Sequence, residues 1–254
     1  MLDTNGNYRG YVAETYDIWW NGDTFFDTQF YKRLMDEVPG MALEIGCGTG
    51  RLLLPYLSEG YEVEGVDCSD EMLDSCRKKA AEKDLSPVLY RQYMQELDLP
   101  KKYSTIFIPL ASFMLVADRN EAMQALSKLY AHLEEGGQVI IPLFIPQNAN
   151  KKEWTAAHSG KRHDGSDILV SSTSSIHLHE QVQTKIERYE IIQGHSLVET
   201  KFYTMKLRWY YKYEFTMMLE KFGFHDISIY GGYDGQPMND DQTFFIFRAR
   251  KQHG

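Results

Sequence analysis

Cysteine is scarce in this chain and positive charge is outnumbered. Cys47, Cys68 and Cys76 are the only thiols among 254 residues, an odd set without metal-ligand spacing. That argues against a disulfide framework or a metal site and for free thiols in a reducing, cytoplasmic setting. Lys and Arg number 27 against 36 Asp and Glu, for a net charge of −9. Proteins that follow a phosphate backbone normally carry a basic face. Here the densest basic cluster, Arg77, Lys78, Lys79 and Lys83, has helical spacing and runs into Asp84, as a solvated helix face would. The expectation is no nucleic-acid partner. No apolar run approaches the roughly 20 residues of a membrane span, so no membrane partner is expected either. The opening MLDTNGNYRG lacks the layout of a secretory signal. Internal repeats and low-complexity segments are also missing.

What is present is an ordinary globular composition, 43% apolar and 25% charged, with length enough for one large domain and an insertion. Between Gly40 and Pro146 short apolar runs alternate with amphipathic stretches, the β-α-β-α signal of a parallel sheet. The runs are 41–45, 61–66, 88–90, 105–108 and 138–144. Ser69 is placed to cap a helix carrying Met72, Cys76 and Ala80. Met123, Leu126, Leu129 and Leu133 mark a later helix, which Gly136-Gly137 would end. Phe26, Phe30, Leu34 and Val38 form an earlier i+4 stripe. From about Ile168 the period changes to two: Ile176/Leu178, then Tyr203/Met205/Leu207/Trp209, with Gln193-Gly194-His195 as a hairpin turn. A helix over 211–222 and strands over 226–230 and 243–248 close the chain. The expected organisation is N-terminal lid helices over 1–39, an α/β domain over 40–146 and 209–254, and a β-rich cap insertion over 147–208.

The sharpest signal is Glu44-Ile45-Gly46-Cys47-Gly48-Thr49-Gly50-Arg51, which follows a strand and opens a helix. Its glycines permit a tight turn and close approach of a ligand, toward which helix-terminal N–H groups would face. Asp67, 21 positions after Gly46, ends the next strand, where a carboxylate can accept both hydroxyls of a ribose. A dinucleotide fold wants G-x-G-x-x-G and a pyrophosphate. Here the spacing is G-x-G-x-G, and Glu44 would repel a pyrophosphate while suiting an ammonium and a sulfonium. The pair therefore points to S-adenosylmethionine (SAM) rather than NAD.

With V-E-G-V-D-C-S-D-E-M-L and the turn 133–137 ahead of Val139-Ile140-Ile141, these segments resemble the successive motifs of class I SAM-dependent methyltransferases. The likeness covers roughly 8–146 and 211–250. It implies a Rossmann-like α/β fold with sheet order 3-2-1-4-5-7-6, the last strand antiparallel. It also implies that Gly46 and Gly48 line the methionine part of SAM, with Cys47 and Gly50 in the same cofactor-binding loop, that Glu44 orders the loop and that Asp67 holds the ribose. Cys68 and Met72 would flank the adenine, and Ile108-Pro109-Leu110 would floor the methyl-transfer site. Members often read Gly-Asp-Met after the third strand. Gln92-Tyr93-Met94 stands there instead, so Tyr93 and Met94 keep the place without the carboxylate, and Gln92, Gln95 or backbone groups would serve adenine.

The fourth-strand segment 108–113 lacks the Asn/Asp-Pro-Pro-aromatic motif of nucleic-acid amino methyltransferases. Tyr8, Tyr11, Tyr16-Asp17 and Trp19-Trp20 resemble the lid of small-molecule members, including amino-sugar and glycine N-methyltransferases. Core packing would also explain them. Tyr203, Tyr233 and Asp234 are candidate acceptor contacts, though the latter two would equally suit a turn. An acceptor amine or hydroxyl needs a base, for which Tyr11, Tyr16, His177 and His179 are the candidates. The two histidines are expected on one face of a strand, with no third metal ligand. A small-molecule methyltransferase, monomer or homodimer, is the leading expectation. RNA or protein methylation, or a SAM-binding regulator without catalysis, remain the alternatives. The acceptor atom is not legible.

Overall fold

The computed structural model describes residues 8–20, 26–147 and 151–252. They fall into two units, one of Phe25–Ile145 with Trp209–Gly254, the other of Met1–Thr24 with Pro146–Arg208. In chain order the first elements are α1 (Tyr11–Trp19), α2 (Thr28–Glu37), β1 (Ala42–Ile45), α3 (Leu53–Ser58), β2 (Val63–Asp67) and α4 (Asp70–Ala81). They are followed by β3 (Leu89–Arg91), β4 (Tyr103–Phe107), α5 (Arg119–His132) and β5 (Leu133–Phe144). Strands β6 (Thr155–Lys161), β7 (Asp167–His177), β8 (Val182–Gln193) and β9 (Ser196–Arg208) come next. The chain ends with α6 (Lys212–Lys221), β10 (Phe224–Tyr230) and β11 (Phe244–Lys251). Among the described residues no helix is long and apolar enough to cross a membrane.

The larger unit is a seven-stranded sheet ordered β3-β2-β1-β4-β5-β11-β10. Its first five strands run parallel, and β11 runs antiparallel to both β5 and β10. Counted within this sheet, that is the expected 3-2-1-4-5-7-6 order. Every residue of β1 and of β4 is buried, as a parallel sheet covered on both faces requires. Ser69 caps α4 by accepting from the Met72 N–H at 3.3 Å, and Met72, Leu73, Cys76 and Ala80 face the core.

Two details differ from expectation. The buried face of α2 is Phe30, Tyr31, Leu34 and Met35, while Phe26 lies before the helix and is exposed. A stripe at strict i+4 drifts around a 3.6-residue helix, so the core keeps Phe30 and Leu34 and adds their i+1 neighbours Tyr31 and Met35. Helix α5 ends at His132, and Gly136-Gly137 lies inside β5 rather than capping the helix. A Cβ on Gly137 would come within 3.1 Å of the Ser104 and Tyr103 carbonyls. That glycine serves a close backbone approach to the start of β4.

The smaller unit is an antiparallel sheet ordered β6-β7-β8-β9. Its β8–β9 hairpin turns on Gly194-His195, with Gly194 at φ 63°. Tyr11 and Val12 of α1 pack on Ile168, Val170, Tyr189 and Ile191. Helix α1 thus belongs with this sheet, whereas α2 belongs with the larger one. Leu178 lies in a turn and Trp209 falls beyond β9, so the alternating apolar face is shorter than the sequence pattern predicted.

Candidate active site

At the carboxyl end of β1 the chain turns through Gly46, Gly48 and Gly50, at φ 74°, 55° and 83°. Backbone N–H groups of Gly46 and Cys47 donate to the Val66 carbonyl at 2.7 and 3.0 Å, pinning the turn to β2. A Cβ on Gly46 would lie 3.2 Å from Ser112 Oγ, and one on Gly48 would lie 3.0 Å from Met72 Cε. The third glycine has another duty: a Cβ on Gly50 would press on Cys76 Sγ and Leu54 at 2.7 Å, inside the packing.

The loop does not open directly into a helix, because α3 starts only at Leu53. The Gly48 N–H is accordingly not aimed outward. It donates to Asp67 Oδ2 at 2.9 Å, while the Ser69 N–H donates to Asp67 Oδ1 at 2.9 Å. With the Cys68 N–H as a third backbone donor, an ionised carboxylate of about four acceptor sites keeps about one for a further donor. Burial pushes the Asp67 carboxyl above its usual range, opposed by the N–H groups of Ser69, Gly48 and Cys68.

Behind the turn lies a buried charged cluster. Glu44 is 2% exposed and its Oε2 has no hydrogen-bond partner among the described residues. Burial drives its carboxyl well above the usual range, chiefly against the Arg51 guanidinium. Arg51 in turn grips Asp27 with both outer nitrogens, at 2.8 and 2.7 Å, and the Asp27 side chain is fully buried. Sequence reading missed this pair. Arg51 was in view as the end of the glycine motif, but Asp27, just ahead of α2, carried no signal.

On the proposed adenine side, Met72 is buried and Cys68 partly so. Tyr93 precedes a short 3₁₀ turn, Met94–Glu96. The Gln92 amide is committed locally, donating to the Asp98 carbonyl at 3.1 Å and accepting from its N–H at 2.8 Å. Gln95 lines a cavity with Glu96, Gln124, Ser127 and Lys128. Beyond β4, Pro109 is buried, and Leu110 and Ala111 both adopt left-handed conformations at φ 52° and 59°. The Ser112 hydroxyl closes that turn by donating to the Pro109 carbonyl at 2.8 Å.

The candidate acceptor residues are divided between the units. Tyr233 packs among Phe26, Phe30, Tyr31 and Phe244, with ring centroids 5.3–5.9 Å apart, and burial raises its hydroxyl pKa. Asp234 is exposed and accepts from the Gln236 N–H at 3.1 Å, an Asx turn. In the smaller unit the Tyr203 hydroxyl accepts the Tyr11 N–H at 3.1 Å, filling one of the unsatisfied donors that open α1. Tyr11 donates its own hydroxyl to Glu199, and that bond holds its pKa above the ordinary value, reinforced by burial. Such a tyrosine stays protonated at neutral pH and is a poor base. Tyr16 packs against Tyr8 and Trp20. His177 ends β7, whereas His179 lies in the following turn, and both are exposed. They do not share a strand face, because the strand stops before the second of them.

A family model described as a methyltransferase domain matches residues 42–137. An uncharacterized methyltransferase of Geobacillus kaustophilus is 31% identical over 172 residues, 62% of this chain and 75% of that protein. A dTDP-3-amino-3,6-dideoxy-alpha-D-glucopyranose N,N-dimethyltransferase of Streptomyces fradiae is 27% identical over 196 residues, 74% of this chain and 73% of that one. Of two other curated relatives, both methyltransferases, the chain spans only 40% and 49% of the length. The solved sugar N-methyltransferase KedS8 from Streptoalloteichus has the same fold, with a TM-score of 0.75 at 18% identity, covering 97% of this chain and 96% of that one. The matched residues run from β1 through the glycine turn and Asp67 to the first half of β5. Family model, relative and sheet order agree: this chain belongs to the SAM-dependent methyltransferase family.

Proposed function

We propose that this protein transfers a methyl group from SAM to a small-molecule acceptor, and that an amino group on a sugar is the first acceptor class to test. The observation that carries the cofactor half is the Asp67 carboxylate, braced by the Gly48, Ser69 and Cys68 N–H groups with acceptor capacity to spare. A ribose hydroxyl presents such a donor. The residues fit SAM in two further respects. Gly46 and Gly48 leave open the space that a Cβ would fill, and a cation beside the turn would favour ionisation of the buried Glu44 carboxyl.

When bound, SAM supplies a methyl group already activated by its positive sulfur. The chain's contribution is then orientation. Asp67 fixes the ribose, the Cβ-free turn admits the methionine portion, and the Pro109–Ser112 turn borders Gly46 to shape the floor. Holding an acceptor in line with the methyl carbon is the effect from which most of the rate is expected. A neutral amine attacks with its own lone pair and gives up its proton to solvent after the transfer, so Tyr11, held protonated, is not required as the base.

The amine acceptor draws its support from the dTDP-amino-sugar relative and from the sugar N-methyltransferase of like fold. The acidic composition, net −9, favours a small molecule over RNA. Calorimetry with SAM, its demethylated product S-adenosylhomocysteine (SAH) and NAD tests the cofactor. Labelled SAM offered with nucleotide-linked amino sugars, phenols and thiols tests the acceptor. Binding of NAD in place of SAM would refute the first half, and turnover confined to phenols or thiols the second.

A further inference from the structure

The loop that follows β3 is tied down at both ends. Its first residue, Gln92, donates its N–H to the main-chain carbonyl of Asp67 at 3.2 Å, so the loop starts out fastened to the residue proposed to hold the ribose. The Gln92 side chain then takes both backbone groups of Asp98, at 3.1 and 2.8 Å, and closes residues 92–98 into a ring. The next residue fixes that ring to α5. The Leu99 N–H donates to His132 Nε2 at 3.0 Å, and His132 Nδ1 lies 2.8 Å from the Lys128 carbonyl. Leu97, Leu99 and the imidazole are all buried. A continuous chain of contacts therefore runs from the last turn of α5 to the carboxyl end of β2.

The two ring contacts fix the form of the imidazole. A backbone N–H can only donate, so Nε2 carries no proton, and the carbonyl beside Nδ1 receives the ring's single N–H. A second proton, on Nε2, would set two donors face to face in a buried place. No neighbouring acid is joined to the ring to compensate it. The elements packed on α5 are the 3₁₀ turn, β5 and α6. Their charged side chains are Glu96, then Glu134 and Glu135, then Lys212, Glu214, Glu220 and Lys221; the loop before β4 adds Asp98, Lys101 and Lys102, and α5 itself adds Lys128 one turn back. Among the described residues none of these side chains bonds to the imidazole. We infer that His132 is a positioning residue: in its neutral form it clasps the 92–98 loop to α5 and steadies the Asp67 end of β2, and its protonation opens the clasp and weakens cofactor binding. This inference rests on the SAM-binding reading. The loop adjoins the residue assigned to the ribose, a part that SAM and SAH share, so opening the clasp weakens both ligands alike.

The test compares the parent with His132→Gln and His132→Leu from about pH 8 down to about pH 5.5, the range over which an imidazole changes charge. Glutamine places an uncharged acceptor near the position of Nε2, and leucine places none. Hydrogen-exchange protection of the Leu99 amide, corrected for intrinsic rates and measured without ligand, should fall at least about fivefold in the parent across that range. In His132→Gln it should stay within about twofold. Calorimetry over the same range should show SAM and SAH weakened about three- to tenfold in the parent beyond any change in His132→Gln. The Glu44 and Asp67 carboxyls are common to both proteins, so the difference between them isolates His132. His132→Leu should lack protection and bind weakly at every pH. Constant protection in the parent would make the ring a structural contact only and overturn the inference, whether or not the variants fold. So would parental SAM and SAH profiles parallel to those of His132→Gln. A parent whose Leu99 protection falls as expected but which binds neither ligand at any pH would instead overturn the proposed function.

Discussion

Replacing Asp67 separates its two duties, and their sizes follow from its hydrogen bonds. The carboxylate accepts one N–H from Gly48 and one from Ser69, each at 2.9 Å, with the Cys68 N–H as a further donor. Asp67→Asn keeps one acceptor oxygen but turns an NH₂ toward one of those donors, leaving a mostly buried N–H unmatched. An unsatisfied buried polar group costs about 1–3 kcal/mol. For a chain of this size that lowers Tm by about 2–10 °C. The second duty shows only with ligand. Losing one charge-assisted bond to a ribose hydroxyl costs roughly 1.5–3 kcal/mol, equivalent to about 10- to 150-fold in Kd. Thermal melts without ligand measure the first effect, and calorimetry with SAM and with SAH measures the second. Both ligands contain the ribose, so both must weaken alike. A variant that melts lower yet binds SAM with parental affinity would make Asp67 a brace for the glycine turn and nothing more.

Burial raises the Glu44 carboxyl, so the unliganded fold retains a proton that the unfolded chain has lost. Stability should therefore fall as pH rises from the ordinary carboxylate range through the folded-state value. SAM affinity should rise over the same window, because a cation favours the ionised form. Glu44→Gln should reduce both slopes, leaving the share of Asp67, whose carboxyl is also raised by burial, and a parental SAM affinity constant from pH 5 to 9 would contradict this. Gly46→Ala should weaken SAM at least tenfold, because its Cβ would lie 3.2 Å from Ser112 Oγ at φ 74°. Gly60→Ala, equally left-handed but with nothing within 4 Å, should cost about 1 kcal/mol of stability and leave binding alone. Equal binding losses in the two variants would mean that backbone strain, not the space beside Ser112, is responsible. Tyr203→Phe keeps the ring on Tyr189 and removes the acceptor of the Tyr11 N–H. It should cost about 0.5–1.5 kcal/mol of stability and leave SAM Kd within about twofold, with light scattering confirming an unchanged mass. A weakened SAM affinity instead would contradict the assignment of cofactor binding to the larger unit alone.

The parts of the fold that could be read from the sequence were those written in local pattern. Apolar runs at β-strand length located the parallel strands, and the Ser69 cap with Met72, Cys76 and Ala80 at i+4 located α4. The glycine turn and Asp67 could be read because their spacing along the chain is itself the signal. Strand β6 could not, since Thr155–Lys161 is exposed almost throughout and so lacks any alternation of apolar with polar residues. The Gln92 amide could not be placed either, because its partner is backbone, and backbone carries no residue type to recognise.

Asp27 shows where such reading ends. It stands 24 positions before Arg51, on the far side of a helix and a strand, and no periodicity links the two. Local pattern specifies which face of an element is buried. It does not specify which charged residue at an element's end will meet which other one. That second kind of information appears only once the sheet has brought the ends of its strands together. Buried charge pairs such as Asp27 with Arg51 are assembled there, so they are the contacts a linear reading is least able to find. The test of that view is stability: Asp27→Asn, which breaks a buried pair, should lower Tm well beyond Asp234→Asn, which touches only an exposed turn, and equal Tm values for the two variants would refute it.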